Sequence, residues 1–180
     1  DPAPLGLTIN AAQRLPDVIF GALADVAKDH VLAGCNSTCQ TTVFTREDPM
    51  RPGNTLICHE AIAGGSGASS HADGLSAVQV HMTNTSNMPI EAMETEFPII
   101  MIKKYALRTD SGGAGQFRGG LGIDREFEML MDGIQCKATG DRQKFAPYGL
   151  DGGHAGATGA FYREKNGKRT RLPGKSTGNR

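Results

Sequence analysis

Arg108, Asp110 and Arg118 stand where side-chain type and spacing allow chemistry. An alternating strand runs into Arg108 and Asp110, and five glycines (Gly112, Gly113, Gly115, Gly119, Gly120) then enclose Arg118. Glycine is used this densely where the backbone takes positive φ or another group approaches within contact distance. The Asp110-Ser111 pair can hydrogen-bond back onto the turn and fix its shape. Two readings follow. One is a rigid, tightly wound connection between strands. The other is an anion-binding concavity made of backbone N–H groups with Arg108 or Arg118.

A second polar cluster, His81-Met-Thr-Asn-Thr-Ser-Asn87, lies between a strand and a helix start. Its hydrogen-bonding side chains, His81, Asn84 and Asn87 among them, can orient a polar substrate; the competing reading is a self-capped loop with Asn87 or Thr85 as cap. Glu91 and Glu94 share one helical face and fit either an acid/base pair or surface carboxylates.

Other constellations fail on spacing. Gly174-Lys175-Ser176 imitates the end of a phosphate loop, but position 169 is Arg and no helix pattern follows. Gly113-Ala-Gly115-Gln-Phe-Arg118 lacks the third glycine of a dinucleotide fingerprint. Gly64-Gly-Ser66-Gly-Ala68 is one residue short of a nucleophile elbow. Cys35 and Cys39 have no second ligand pair nearby, and His59 and Glu60, as strand neighbours, point to opposite faces.

The elements that must position these residues are strands more than helices. Leu15, Val18, Ile19, Ala22, Leu23 and Val26 form one apolar stripe, which predicts a helix over Leu15–His30, with Pro16 in its first turn and Lys28 and His30 at its C-terminal end. Strands are predicted over Val31–Cys35, Gln40–Thr45, Thr55–Ala63, Leu75–Met82, Pro98–Leu107 and Ala160–Arg163, with a short helix over Pro89–Phe97. Gly122–Met131 and Gly133–Ala138 read as a hairpin around Asp132-Gly133, and Asn166-Gly167 as a second turn. The fold class is α+β: a strand-rich mixed fold with one long amphipathic helix near the start, glycine-rich connections and no internal boundary.

The balance of 19 basic and 19 acidic residues argues against nucleic acid or an anionic membrane as partner. The sequence has no apolar run of membrane-spanning length and no secretory leader, so a cytoplasmic location with four reduced thiols is expected. Glycine, at 24 of 180 residues, is well above the roughly 7% norm. With 38% hydrophobic residues and no Trp, such a chain has little to bury alone, so a partner or a missing half is expected. A start at Asp1 and a polar end read as part of a longer polypeptide.

Taken in order, Gly64-Gly-Ser-Gly-Ala68, Asp73-Gly74, His81-Met-Thr-Asn-Thr85, Asn87-x-Pro89-x-Glu91, Glu94, Leu107-Arg-x-Asp-Ser-Gly-Gly-Ala-Gly115 and Arg118-Gly-Gly-x-Gly122 resemble the hydantoinase B/5-oxoprolinase family. The later Asp141-Arg-x-x-Phe145-Ala-Pro-x-Gly149-Leu150-x-Gly-Gly153 and Leu172-Pro-Gly-Lys175 fit the same family, which includes subunits of ATP-dependent ketone carboxylases. The resemblance covers nearly the whole chain, but only the C-terminal part of a B-type component. It implies an ATP-dependent hydrolase of cyclic amides (hydantoin, 5-oxoproline, lactam), acting through a phosphorylated intermediate and active only within a hetero-oligomer. The implied partners are an A-type component that binds ATP with Mg and the N-terminal portion of the B-type component. A possible divalent metal belongs outside this segment, so no metal ligand is carried over. The chain departs from the family at Ser69, where an Arg often stands, and in lacking a glycine-rich end after Arg180.

Within that reading the expected catalytic residues are Arg108, Arg118 and Asp110, and the expected substrate-binding residues are His81, Asn84, Asn87, Gly112 and Gly113. A ketone carboxylase subunit and a non-catalytic assembly scaffold are the alternatives.

Overall fold

Alternation along Thr41–Thr45 builds a sheet with two unlike faces. The computed structural model describes residues 8–83 and 85–179. In chain order these form α1 (Thr8–Leu23), β1 (Gln40–Glu47), β2 (Thr55–Ile62), β3 (Gly64–Gly65), β4 (Ser76–Val78), α2 (Ile90–Glu96), β5 (Ile100–Leu107), β6 (Ile123–Met129), β7 (Gln135–Thr139), β8 (Phe161–Lys165), β9 (Lys168–Leu172) and β10 (Lys175–Asn179). The main sheet runs β10-β7-β1-β2, antiparallel throughout. The three other pairs, β3-β4, β5-β6 and β8-β9, are two-stranded ribbons.

Phe44 pairs with Cys58 on one side and Cys136 on the other. Directly opposed residues share a face, so these three side chains point the same way. That face packs on the β5-β6 ribbon and α2, burying Phe44, Cys58, Met93, Ile99, Ile100, Ile102 and Ile134 in one cluster. Phe127 stacks tilted on Phe44 with ring centroids 4.9 Å apart. Each fully buried aliphatic side chain here stabilises by about 1.5–3 kcal/mol. Glu94, half-buried on α2, accepts the Ile102 N–H at 2.7 Å and ties the helix to β5. Ile57, His59 and Lys137, on the other face of the sheet, are exposed.

Several predicted elements shift. β6 and β7 do not form a hairpin. Gly133 (φ +79) does turn the chain, but β6 pairs with β5 while β7 crosses to β1 and β10. The side chains decide it: Phe127 belongs beside Ile102, whereas Cys136 and Ala138 belong beside β1. Residues 31–35 are irregular, and only Ser76–Val78 of the predicted Leu75–Met82 strand pairs. The Asn166-Gly167 turn forms as expected, with φ of +53 and +74, between β8 and β9.

α1 starts about two turns before the predicted Leu15 and ends at Leu23, so Pro16 lies inside it and Lys28 and His30 beyond it, in a separate 3-10 turn. Gln13 explains the early start. Its amide accepts from the Cys39 N–H at 3.1 Å and donates to the Cys39 sulfur at 3.3 Å, holding the first turns in place. Lys28 pairs instead with Asp151 at 2.6 Å.

The helix is also turned against its own pattern. Gln13 and Asp17 are fully buried, while Leu15 (59% exposed), Val18 (59%), Ile19 (51%) and Leu23 (42%) face out, as does Val26 (80%) in the turn after the helix. An apolar helical stripe ordinarily faces the core. Here the polar side has the better-built partners.

Candidate functional site

Segments 64–67, 112–120 and 149–156 thread through one another. Gly120 donates to Ser66 O (2.9 Å), Gly119 to Gly113 O (3.0 Å), Gly74 to Arg118 O (2.7 Å) and His154 to Ala114 O (2.8 Å). A Cβ added at Gly65, Gly67, Gly112, Gly113 or Gly120 would land well under 3.0 Å from a backbone oxygen of a crossing segment. Close approach, not positive φ, is therefore why these positions carry no side chain; the left-handed residue in the loop is Asp110 (φ +55). Ser111 fixes the turn as its position foretold, donating to Arg108 O at 2.7 Å and accepting from the Gly122 N–H at 2.8 Å.

A cleft of about 1610 Å³ opens beside this knot, between the β1 face, β6 and the β8-β9 hairpin. Arg108, Gly112 and Gly113 line it. Arg108 is half-buried and gives one guanidinium N–H to Thr158 O at 2.7 Å, leaving donors to spare. Asp110 and Arg118 share the loop but do not line the cleft. Both are exposed, and Arg118 is held through its backbone, whose N–H meets Asp73 Oδ1 at 2.8 Å.

The other expected residues lie elsewhere. Asn87 accepts the Ala63 N–H through Oδ1 at 3.0 Å, at the end of β2. It does not cap α2, whose first turn makes no side-chain cap bond. His81 stands edge-on to Phe20 at 5.3 Å, with its Nε2 buried and unpartnered. Asn84 lies outside the described residues. The structure thus brings Arg108, Gly112 and Gly113 together at the cleft and places His81 and Asn87 away from its lining.

Two buried ion pairs escaped the sequence reading. Arg125 grips Glu60 with two N–H groups, at 2.7 and 3.2 Å, and both side chains are 2% exposed. Burial pushes the Glu60 carboxyl up against the pull of Arg125. Arg125 also lies over the Tyr105 ring at 4.0 Å and lines the cleft. The signal for Glu60 was its place between Cys58 and Ile62 at the inward positions of β2. Asp17, in turn, pairs with Arg142 and accepts from Ser37 Oγ at 3.0 Å and the Cys35 N–H at 3.3 Å.

Asp17, Cys35 and His81 bring ligand-type atoms within 4.8 Å of one another. The arrangement does not suit a divalent cation, which would have to displace the Arg142 guanidinium from Asp17. Burial and the Asp17 charge also push the Cys35 thiol up to about 11, whereas the thiolate is the ligand form. Cys58, pushed up to about 11 by burial and by Glu60, is no more reactive. Nor does the resemblance of the 174–176 stretch to a phosphate loop survive. Gly174-Lys175-Ser176 leads into strand β10, with Lys175 and Ser176 paired to Thr139 and Ala138, and no helix follows. Among the described residues no helix is long and apolar enough to cross a membrane.

The sequence matches the Hydantoinase B/oxoprolinase family over residues 1–180. The chain belongs to that family. A family relative, an uncharacterized protein of Methanocaldococcus jannaschii, is 42% identical over 177 residues, 98% of this chain but 30% of that protein. A 5-oxoprolinase of Dictyostelium discoideum is 35% identical over 178 residues, 98% of this chain and 13% of that one. The chain therefore spans less than a third of either relative. In fold it is similar to nucleotide-free acetone carboxylase, with a TM-score of 0.62 and 21% identity over 78% of this chain and 18% of that chain.

Proposed function

We propose that this chain is part of the B-type component of an ATP-dependent hydrolase that opens cyclic amides. The observation that carries the reading is the family match over all 180 residues. Amide resonance makes such rings resistant to water, and the A-type component, with ATP and Mg bound, would supply a phosphorylated, weakened amide oxygen. This chain's part is to hold the ring and meet the charge that develops as it opens. Arg108, with Gly112 and Gly113, would do that work, and their shared place on the cleft lining supports the assignment. Preorganised donors in a water-poor site do so without reorganising. Asp110 and Arg118 would act at the outer edge of the same loop, whereas His81 and Asn87, away from the cleft lining, are given no part in holding the ring.

The assay is ATP turnover by the natively purified assembly with hydantoin, 5-oxoproline or a lactam. Arg108→Ala should lower kcat by about 10²-fold, the scale of a lost oxyanion donor. Unchanged turnover in both Arg108→Ala and Arg118→Ala assemblies would make this segment a scaffold. Turnover requiring bicarbonate and a ketone would assign it to the carboxylase branch.

A further inference from the structure

The outward stripe of α1 is the largest feature that the proposed chemistry leaves unused. Four large apolar side chains, Leu15, Val18, Ile19 and Leu23, lie between 42% and 59% exposed along one helical face, and Val26 (80%) continues the patch in the turn that follows. The helix cannot roll to hide them. On its other side Asp17 is paired with Arg142, Gln13 is bonded to Cys39, and Phe20 meets the His81 ring. Gly21 closes the clamp: a Cβ there would touch the Tyr148 hydroxyl at 3.3 Å. Rolling the helix would strip a buried carboxylate of its partner and Gln13 of its bonds to Cys39.

We infer that this stripe is the seam on which the rest of the B-type component, the family polypeptide outside these 180 residues, seats an apolar element of its own. The inference rests on the proposed function for the identity of that polypeptide. Length argues for this occupant: 98% of the chain matches only 30% of one relative and 13% of another. The architecture agrees. β2 is a sheet edge carrying an exposed Ile57, and the three two-stranded ribbons are marginal units by themselves. Charge argues against a lipid surface. An interfacial helix sets basic residues beside its apolar face; here the cation on α1, Arg14, is paired with Asp141 at 2.7 Å, Lys28 beyond its end is paired with Asp151, and the polar face is buried.

Thiol labelling of the natively purified assembly tests the seam without reference to activity. Val18→Cys and, separately, Val26→Cys are compared with Asn166→Cys at the exposed β8-β9 turn. Cys35, Cys39 and Cys58 are buried and Cys136 is half-buried, so labelling of the parent assembly is subtracted as background. In the assembly a maleimide should react at least about tenfold more slowly at positions 18 and 26 than at position 166, and equally at all three in urea. Equal native rates at the three sites would overturn the inference. So would protection that disappears on dilution, which indicates a second copy, or protection that appears only when the A-type component is added. If the assembly proves protected at α1 yet inert with cyclic amides and ATP, the proposed function fails and the seam stands.

Discussion

Asp17 is a carboxylate on an apolar-patterned helix, and its partners set the orientation of the whole element. Its charge is buried and compensated by Arg142, so removing the cation leaves an orphaned carboxylate in a dry site. Breaking a buried pair from one side costs about 3–5 kcal/mol. Arg142→Ala should therefore lower the unfolding free energy from urea titration by that much, with an unchanged or smaller m-value. An exposed control, Arg51→Ala, should fall within about 0.5 kcal/mol of the parent. Asp141 gives a pH signature at the same end of the molecule. Partial burial acts to raise its carboxyl, but hydrogen bonds from Arg14 and Thr38 outweigh burial and hold it below the usual carboxylate range. A depressed folded value means stabilisation fully present above the ordinary value of about 4 and lost as pH falls through the depressed one. The Tm difference between the parent and Asp141→Asn should accordingly be constant from pH 5 to 8 and close below about pH 4.

At the level of elements, the glycine knot separates two uses of one residue type. At Gly67 an added Cβ would strike the Ala33 backbone, whereas at Gly53 (φ +86) it meets nothing within 4 Å. Gly53→Ala should cost about 1 kcal/mol, the price of a left-handed conformation alone. Gly67→Ala must shift the 31–35 segment and should cost more than about 3 kcal/mol, as overpacking does at its worst. Urea titration of both variants measures the contrast. The sequence announced such a knot through glycine density, and it announced β1, β2, β5, α2 and the Asn166-Gly167 turn through alternation and turn chemistry. It did not announce that β6 leaves β7 for β5, because a turn signal such as Asp132-Gly133 reports local reversal and not which strand is paired next. Arg108, Gly112 and Gly113 were readable as one loop, and the cleft keeps them together. His81 and Asn87 were grouped by adjacency in sequence, but a strand-to-helix loop sends neighbouring side chains to different partners, here Phe20 and the Ala63 amide.

For the whole molecule, the exposed stripe on α1 makes a claim about stability and assembly together. Substituting an exposed apolar residue by a charged one removes little buried surface, so Val18→Lys with Ile19→Lys should leave the unfolding free energy of the 180-residue chain within about 0.5 kcal/mol of the parent. The same double change should reduce concentration-dependent self-association of that chain, because contiguous exposed apolar patches drive it. In the assembled component the outcome reverses. Two lysines forced into an apolar seam would bury unpaired charge, a cost of several kcal/mol that few interfaces survive. Co-purification of the remaining B-type polypeptide with the double variant should fall by at least about tenfold. Were α1 an ordinary core helix that merely faces the wrong way, both measurements would move together. The opposite signs are what a helix held outward by Asp17 and Gln13, and completed by another part of the component, requires.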